Sequence, residues 1–430
     1  MKNKLALFIC LLSLTIIISC NDDQATPDTS STSPNILLII ADDMGLDATP
    51  GYTIGATKPT MPHLESLMAD GLRFNNTWSS SVCTPTRATI LTGKYGVNSG
   101  VLAVGDLLNT SEQSIHRYLD QQTNQRYRHA VIGKWHLAGN GSANITHPAD
   151  MGVDFYAGLI SGAVTDYSSW PLTENGQTTT SNTYITTKIT DLAIDWLGNQ
   201  DQPWFLWVAY TAPHTPFHLP PSHLHSQGNL PTDQASITSN PEPYFMAMME
   251  AMDTEIGRLL AAIPTEELEN TTIIFVGDNG TTGAVIQNPY SRRTAKGTLY
   301  QGGVNVPMIV SGYGVTRTGS EAALIHTSDL FATIADLAGT ATSSIQNSFS
   351  FMPLLSNANA AQRDFVYTDD ANGWAIRNAP YKLIEFNNGS QEMYHLTTDP
   401  YERTNLLDAP LTSEATAAKT ALESEAAAIR

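Results

Sequence analysis

Positive charge is scarce in this chain. Its 430 residues include 22 Lys and Arg against 41 Asp and Glu, which gives a formal net charge of -19. A protein that binds nucleic acid needs a basic surface, so this balance argues against a nucleic-acid partner. Hydrophobic residues make up 41% of the chain and charged residues 15%. That is enough apolar material for a core and too much for a disordered chain.

Long apolar runs are also rare, and the longest lies near the N-terminus. Lys2 and Lys4 precede the apolar segment Leu5 to Ile18, which is too short to span a bilayer and leads into Cys20. A small residue before a cysteine at this place resembles a bacterial lipoprotein signal. The resemblance implies an exported protein of a Gram-negative bacterium, lipidated on Cys20 and held at the outer membrane, on the cell surface or in the periplasm. The alternative is an ordinary signal peptide with an incidental cysteine.

The chain has only three cysteines, Cys10, Cys20 and Cys83. Cys10 lies in the apolar segment, so removal of the signal and lipidation of Cys20 leave a single thiol. An exported protein with one thiol cannot form an internal disulfide. Cys83 is therefore predicted to have a chemical role.

Most of the chain alternates between two kinds of pattern. Residues 21–34 are rich in Ser, Thr and Pro and predict a flexible tether. Beyond them, apolar runs typical of buried parallel strands alternate with helical patterns. This alternation predicts an α/β fold with a mainly parallel central sheet sandwiched by helices. The predicted strands are residues 35–41, 129–132, 204–209, 272–276 and 307–310, and the predicted helices are residues 61–70, 87–91, 184–197, 244–262 and 328–338.

The last part of the chain has a different pattern. Residues 340–363 are rich in Ser, Asn, Thr and Ala, and the segments after them are short, aromatic and separated by turns. They predict a small antiparallel sheet with a closing helix over residues 413–430. The domains are predicted as a signal peptide over residues 1–20, a linker over 21–34, a large domain over 35–350 and a small C-terminal α+β subdomain over 351–430. The predicted strands of the small sheet are residues 365–368, 373–377, 381–386 and 392–396.

Two of the predicted strands lead into side chains that carry oxygen ligands. Asp42 and Asp43 follow one strand, and Asp278 and Asn279 follow another. Because sites in open parallel sheets form at the carboxyl ends of strands, these side chains are expected to meet. Three carboxylates and an amide oxygen suit calcium, and suit magnesium less well. Each pair alone has an ordinary explanation, since Asp and Asn are common in turns after strands.

Cys83 opens the segment Cys83-Thr84-Pro85-Thr86-Arg87. Pro85 suits the first turn of a helix, where its missing N–H costs nothing. This predicts that Cys83 lies at a helix N-terminus, where backbone N–H groups and the helix dipole favour anions. Arg87 lies one turn further along and can fold back toward residue 83. The alternative is a buried core cysteine before an ordinary helix.

The spacing C-x-P-x-R, followed five and six residues later by Thr92-Gly93, resembles the signature of the formylglycine-dependent sulfatases, which are arylsulfatase-like members of the alkaline phosphatase superfamily. Other segments resemble that family's motifs in the same order, over most of residues 35–405. The resemblance implies the family's fold, with residues 35–350 as the catalytic domain, and a sulfuric ester hydrolase. The matching segments are Asn35–Gly45, Gly133–Leu137, Ala212–Pro216, Gly277–Gly280, Lys296–Tyr300 and Tyr394–Pro400.

The resemblance also implies how the nucleophile is made and held. A sulfatase maturation enzyme would oxidise Cys83 to formylglycine, and one hydroxyl of its hydrated form would attack sulfur. Arg87 would orient residue 83. Calcium would bind residue 83 and the four side chains at the strand ends, which are Asp42, Asp43, Asp278 and Asn279.

Four further residues take roles in the same comparison. A stable sulfate monoester needs its oxygens neutralised and its leaving alcohol protonated. Lys134 and Lys296 would hold the sulfuryl oxygens with calcium. His214, with Lys296, would protonate the departing oxygen, and His136 would take the proton of the second hydroxyl, so that sulfate leaves and the aldehyde is regenerated.

The sequence leaves the substrate and two alternatives open. A surface lipoprotein sulfatase suggests a sulfated polysaccharide or oligosaccharide, which Trp170 and His218 could contact if they are not ordinary loop residues. A phosphodiesterase or phosphonate hydrolase on the same scaffold would use a similar set of residues. A lipid-anchored glycan-binding protein with a dead site is the alternative from another class, and the complete set of ligands argues against it.

Overall fold

The apolar runs of the sequence form the strands of a ten-stranded sheet. The computed structural model describes residues 33–141 and 144–430. The predicted signal peptide, Cys20 and residues 21–32 of the predicted linker lie outside the described residues. The strands of the sheet are β1 (Asn35–Ala41), β2 (Leu72–Trp78), β3 (Arg128–Lys134), β4 (Phe155–Leu159), β5 (Trp170–Glu174), β6 (Gln177–Ser181), β7 (Trp204–Ala209), β8 (Thr271–Gly277), β9 (Asn305–Gly312) and β10 (Gly319–His326).

The strand order is β10-β2-β9-β8-β1-β7-β3-β4-β5-β6. The middle of the sheet, from β8 through β1, β7 and β3 to β4, is parallel. The sheet is therefore mainly parallel, as predicted. Strand β9 runs antiparallel to both of its neighbours, and β5 and β6 add an antiparallel hairpin at the far edge. Parallel central strands bring their carboxyl ends to one edge, where a site can form.

Helices cover both faces of the sheet, and β1 shows why its sequence is apolar throughout. Leu37 and Ile39 face the cluster built from α1, α6 and α8, whereas Ile36 and Leu38 face that from α2, α4 and α11. Each such side chain contributes roughly 1.5–3 kcal/mol when it is fully buried. The helices are α1 (Pro62–Ala69), α2 (Cys83–Thr92), α3 (Gly96–Ser99), α4 (Ile115–Thr123), α5 (His147–Asp150), α6 (Ile185–Leu197), α7 (Gln234–Ser239), α8 (Glu242–Ala262), α9 (Thr265–Glu269), α10 (Gln301–Val304), α11 (Asp329–Leu337) and α12 (Ser413–Ile429), with 3₁₀ turns at Ser222–Leu224, Met352–Leu355 and Leu406–Asp408.

The small C-terminal antiparallel sheet is also present, with α12 as the predicted closing helix. Residues 33–430 form one compact unit, and the division at residue 350 stays a prediction. Within residues 33–141 and 144–430, none of the helices has both the length and the apolar character that crossing a membrane requires. The remaining strands are β11 (Ser344–Ile345), β12 (Ser348–Phe349), β13 (Val366–Asp370), β14 (Gly373–Arg377), β15 (Tyr381–Phe386) and β16 (Gln391–His395).

Candidate active site

The carboxyl ends of the central strands bring the predicted ligands together. Strand β1 lies between β7 and β8, so Asp42 and Asp43 after β1 meet Asp278 and Asn279 after β8. The Asp43 N–H donates to Asp278 Oδ1 at 3.2 Å, and Asn279 Nδ2 donates to Asp43 Oδ1 at 2.8 Å. All four residues are buried. The pairing of two strands far apart in sequence therefore creates the cluster.

Cys83 lies beside this cluster, at the start of helix α2. The helix begins at Cys83 with Val82 as its N-cap, which confirms the predicted position. One oxygen each from Asp42 and Asp278 lies within 4.8 Å of the Cys83 sulfur, and His136 Nδ1 lies 3.2 Å from it. Burial raises the pKa of the Cys83 thiol, Lys134 opposes this rise, and Asp42 adds to it. The unmodified thiol is thus disfavoured as a thiolate nucleophile, because the thiolate is the reactive form.

Three carboxylates in the site are matched by three cationic side chains. The Arg87 guanidinium donates from Nη2 to Asp278 Oδ2 at 2.9 Å and from Nη1 to the Lys134 carbonyl at 2.7 Å. Lys134 Nζ donates to Asp42, and Lys296 Nζ donates to Asp43. Arg87 and Lys134 are fully buried. Buried charges are tolerated only when they are paired in this way.

The oxygen ligands fit a divalent cation. Asp42 Oδ1 and Asn279 Oδ1 are buried acceptors without a hydrogen-bond partner among the described residues, although buried polar atoms are normally satisfied. Burial and the charge of Asp42 raise the pKa of Asp278 to about 6, against the opposing charges of Arg87 and Lys134. Carboxylate and amide oxygens are ligands for calcium, and a cation here would favour the ionised form of Asp278.

Two residues of the site adopt backbone angles that are unusual for side chains other than glycine. Asp43 has φ +69° and His136 has φ +60°. Such left-handed conformations cost of order 1–3 kcal/mol when the surroundings impose them. Both turns follow directly from strand ends, and they direct the Asp43 carboxylate and the His136 ring toward the same centre, where His136 reaches Cys83.

The two predicted histidines are both held in their neutral range. Burial lowers the pKa of His214 to about 4, Asp43 opposes the shift, and Lys134 and Lys296 add to it. The His214 Nδ1 lies 2.7 Å from the Thr215 carbonyl, and its Nε2 lies 3.9 Å from Asp43 Oδ2. A donor at Nδ1 leaves Nε2 free to exchange a proton. Burial, followed by Lys134 and Arg87, lowers the pKa of His136 far below its ordinary value.

The sequence did not reveal the contacts that hold the Lys296 loop and the His136 ring. The Gly297 N–H donates to the Ser81 carbonyl at 2.8 Å, and Ser81 Oγ donates to Asp370 of the C-terminal sheet at 2.6 Å. Gly162 lies behind His136, and a Cβ added at Gly162 would lie 2.1 Å from His136 Nε2. These residues are far apart in sequence and carry no motif, so only the fold identifies them.

We expect Gly162→Ala to lower kcat/KM for an aryl sulfate by about 10- to 100-fold while the protein stays folded, because a displacement near 1 Å can have that effect. The His136 ring would have to move away from the added methyl group. Gly198→Ala is the matched control, since its Cβ would meet nothing nearer than 3.5 Å. Steady-state kinetics and thermal unfolding of both variants check this, and equal kinetics would show that His136 tolerates the shift.

The two weak candidates for substrate contact are both held by contacts within the protein. Trp170 is 1% exposed, and its Nε1 donates to the Thr183 carbonyl at 3.0 Å, so its ring packs in the core and offers no surface to a sugar. His218 is partly buried against Tyr167, with ring centroids 4.2 Å apart, and its Nε2 lies 3.1 Å from the Tyr184 hydroxyl. A role for His218 in substrate contact stays a prediction.

Two family models match the chain. The model described as Sulfatase matches residues 34–340, and the model described as N-sulphoglucosamine sulphohydrolase, C-terminal, matches residues 294–427. Together they cover the large sheet with its site and the C-terminal sheet with its closing helix.

Curated relatives are similar over most of the chain at 24–28% identity. The Escherichia coli K12 protein named Uncharacterized sulfatase YdeN is 27% identical over 75% of this chain and 65% of its own length. Human Arylsulfatase A is 28% identical over 87% of this chain and 83% of its own. The Ulvan-active sulfatase of Formosa agariphila is 27% identical over 94% of this chain and 83% of its own. The chain thus spans just under two thirds of the length of YdeN.

Solved structures share the fold at lower identity. BT4656 in complex with its substrate D-glucosamine-2-N,6-O-disulfate has a TM-score of 0.75 and 22% identity, over 92% of this chain and 97% of that one. Ps i-CgsB in complex with k-i-k-neocarrahexaose has a TM-score of 0.71 and 22% identity, over 88% and 89%. The phosphonate monoester hydrolase of Agrobacterium radiobacter has a TM-score of 0.69 and 18% identity, over 92% and 95%. At these identities the likeness concerns the fold, which both sulfatases and a phosphonate hydrolase adopt.

Proposed function

The chain belongs to the sulfatase family of sulfuric ester hydrolases, and from this premise we propose that it desulfates a sulfated polysaccharide or oligosaccharide by means of a formylglycine made from Cys83 and a bound calcium ion. The observation that carries the proposal is the position of Cys83. Its sulfur lies within 4.8 Å of oxygens of Asp42 and Asp278, beside a fully buried arginine and lysine. An ordinary core cysteine packs among apolar groups and does not need these charged neighbours.

Calcium would be held by the oxygens of Asp42, Asp43, Asp278 and Asn279 together with residue 83. The unpartnered oxygens of Asp42 and Asn279 support this assignment. When bound, the ion supplies a Lewis acid for the sulfuryl oxygens. Formylglycine, when hydrated, supplies one hydroxyl that attacks sulfur and a second whose deprotonation releases sulfate.

The remaining side chains handle charge and protons. Lys134 and Lys296, which donate to Asp42 and Asp43, sit where they can also donate to sulfuryl oxygens. Arg87 donates to Asp278 and orients residue 83 through this contact. His136, 3.2 Å from the Cys83 sulfur, is placed to accept a proton from the group at residue 83. His214 lies on the Asp43 side, and with Lys296 it would donate a proton to the leaving oxygen once the negative charge of a bound sulfate ester favours the protonated imidazole.

A phosphonate or phosphodiester hydrolase is the second candidate, because the Agrobacterium radiobacter phosphonate monoester hydrolase shares this fold. The experiment compares p-nitrophenyl sulfate with p-nitrophenyl phenylphosphonate and bis-p-nitrophenyl phosphate, using protein made beside a maturation enzyme. We expect the highest kcat/KM for the sulfate. A higher kcat/KM for the phosphonate or the diester would reject sulfatase activity as the main function, and no turnover of any ester would favour a glycan-binding protein with a dead site.

The class of natural substrate is proposed from the relatives. A relative is named Ulvan-active sulfatase, and two structures of the same fold hold a glucosamine disulfate and a carrageenan hexaose. A screen of defined sulfated oligosaccharides, read by the mass lost with each sulfate, identifies the sugar and the position of the ester. Release of sulfate from none of them, by enzyme active on aryl sulfate, would contradict a saccharide substrate.

We also propose that the protein is an exported lipoprotein of a Gram-negative bacterium, anchored through Cys20. Cys20→Ala is expected to move the enzyme from the membrane fraction to the soluble fraction, because removing the acyl chains removes the buried CH₂ groups that hold it. Fractionation with an activity assay checks this. Cys10→Ala, a cysteine within the predicted signal, is the matched control and should leave the enzyme on membranes. A Cys20→Ala protein that still sediments with membranes would place the anchor elsewhere.

A further inference from the structure

A cavity lies between the large sheet and the C-terminal sheet. Its volume is about 490 Å³, and its walls include Arg73 and Asn75 of β2 and Arg377 of β14. We call it the arginine cavity. A volume of this size is in the range of about 300–1,000 Å³ that small-molecule sites occupy. The cavity is thus large enough for one or two sugar units.

The charge of the arginine cavity is opposite to that of the chain. Two arginines line it, and no Asp or Glu is among the described residues of its walls. The chain as a whole has 41 Asp and Glu against 22 Lys and Arg, so the sign of the charge at these walls differs from that of the chain. A concave surface lined by one sign of charge concentrates ions of the other sign. The cavity therefore favours an anionic ligand.

Neither arginine has a carboxylate partner within the part of the chain that the structure describes. Arg377 is 4% exposed, and its guanidinium donates to the carbonyls of Asn378 and Ala379 and to Asn76 Oδ1, at 2.8–3.1 Å. Arg73 lies over the Tyr52 ring, and its Nε is buried without a hydrogen-bond partner. A buried cation is normally paired with a charge of opposite sign. The Glu402 carboxylate acts on Arg377 without contacting it, and Arg73 Nη1 donates to the Gly51 carbonyl, so neither guanidinium is held by a direct ion pair among the described residues.

The other walls suit a sugar better than a free inorganic anion. Asn75, Asn76 and Asn305 supply amides, and Tyr401, which is only partly buried, supplies an aromatic ring. Asn305 Oδ1 is a further buried acceptor without a partner among the described residues. Amides donate to and accept from hydroxyl groups, and tyrosine rings pack against apolar sugar faces while their hydroxyls stay polar. A small inorganic anion would use the arginines and leave the rest of the cavity unfilled.

The arginine cavity shares two chain segments with the candidate active site. Leu46 in its wall follows Asp43 by three residues, and Gln301 follows Lys296 by five. We propose that this cavity binds a sulfated sugar unit of the same chain whose sulfate ester is hydrolysed at residue 83, as a secondary binding site. This rests on the proposed desulfation of a saccharide, and it adds a site that holds the polymer near the reacting ester.

The test measures binding to protein that cannot turn over its ligand, so all variants carry Cys83→Ala. The probes are a carrageenan hexasaccharide, a heparin-derived hexasaccharide, an uncharged dextran hexasaccharide and inorganic sulfate. Asn75→Asp adds a carboxylate to the cavity without a change of shape, and Arg73→Gln removes a cation. Each is expected to weaken binding of at least one sulfated hexasaccharide about tenfold by calorimetry, with no effect on p-nitrophenyl sulfate turnover in the Cys83 protein. Asn359→Asp, an exposed asparagine outside the cavity, is the matched control.

The possible outcomes separate the inference from the function on which it rests. Equal affinity of the Asn75→Asp and Asn359→Asp proteins for both sulfated hexasaccharides, or no binding of either by the parent, overturns the secondary site. If the variants lose affinity for inorganic sulfate alone, the cavity is a site for a free anion, and the inference is also overturned. If the uncharged dextran hexasaccharide binds as tightly as the sulfated hexasaccharides, charge does not drive binding, and the inference is overturned. Failure of the unmodified-sequence protein to hydrolyse p-nitrophenyl sulfate would instead reject the proposed function, whatever the binding data show.

Discussion

Replacing Cys83 with alanine is expected to abolish hydrolysis of p-nitrophenyl sulfate, with a loss in kcat on the order of 10⁴-fold or more. Alanine cannot be oxidised to an aldehyde, so no geminal diol is available to attack sulfur. The fold should persist, because the Cys83 sulfur contacts His136 as its hydrogen-bonding neighbour and its removal leaves only a small gap. Thermal unfolding together with steady-state kinetics measures both effects.

The control for this prediction is the unmodified sequence made with and without a sulfatase maturation enzyme. Protein made with it should be active, and peptide mass spectrometry should find formylglycine at residue 83. Protein made without it should carry a thiol and be inactive, since burial raises the pKa of that thiol and keeps it from acting as a thiolate. Full activity of a protein whose Cys83 is entirely unmodified would show that the aldehyde is not required.

Asp43→Asn is expected to remove both metal and activity. The substitution keeps the size of the side chain and takes away one of the three carboxylate charges near Cys83. Calcium affinity should fall by at least roughly 100-fold, the upper end of what is lost when only an outer partner of a metal ligand is changed. Lys296 also loses the charge to which its ammonium group donates, so the position of a proposed sulfate-binding group is disturbed as well. Metal analysis and calcium titration calorimetry measure the first effect, and kinetics the second.

Asp47→Asn is the matched control for this substitution. Asp47 is a buried aspartate four residues further along the same segment, and its carboxylate accepts from Thr281 Oγ1 at 2.7 Å and from the Gln287 N–H at 2.9 Å. It lies outside the predicted ligand set, so Asp47→Asn should lower stability without changing the amount of calcium bound. Retention of calcium by Asp43→Asn at the parent's affinity would exclude Asp43 as a ligand.

The central part of the fold could be predicted because its sequence obeys one constraint. Strands β1 and β8 are buried on both faces, so each contains a continuous apolar run. Their ends then stand out, since Asp42 and Asp278 follow the apolar runs directly. The helix at Cys83 could be predicted for a similar reason, because Pro85 suits a first turn.

The outer strands could not be predicted, because their patterns are mixed. Strand β2 has the sequence LRFNNTW and β10 the sequence GSEAALIH, and neither is continuously apolar or regularly alternating. Their environment is set by partners distant in sequence, such as Thr368 of the C-terminal sheet, which donates to the Ser79 carbonyl just beyond β2 at 2.9 Å. The same holds for Ser81 and Gly162 in the site, whose importance depends on contacts and not on local pattern.

Strand β1 lies in the middle of the sheet, between two strands that are made after it. Its neighbour β8 is made much later, since Asp43 and its hydrogen-bonding partner Asp278 are 235 residues apart. At roughly 5–20 residues per second, a ribosome needs tens of seconds to cover that distance. During this time the apolar strand has exposed edges and can pair with other chains. Once the sheet has closed, Cys83 is 2% exposed, so the oxidation that we propose has to occur before the chain folds.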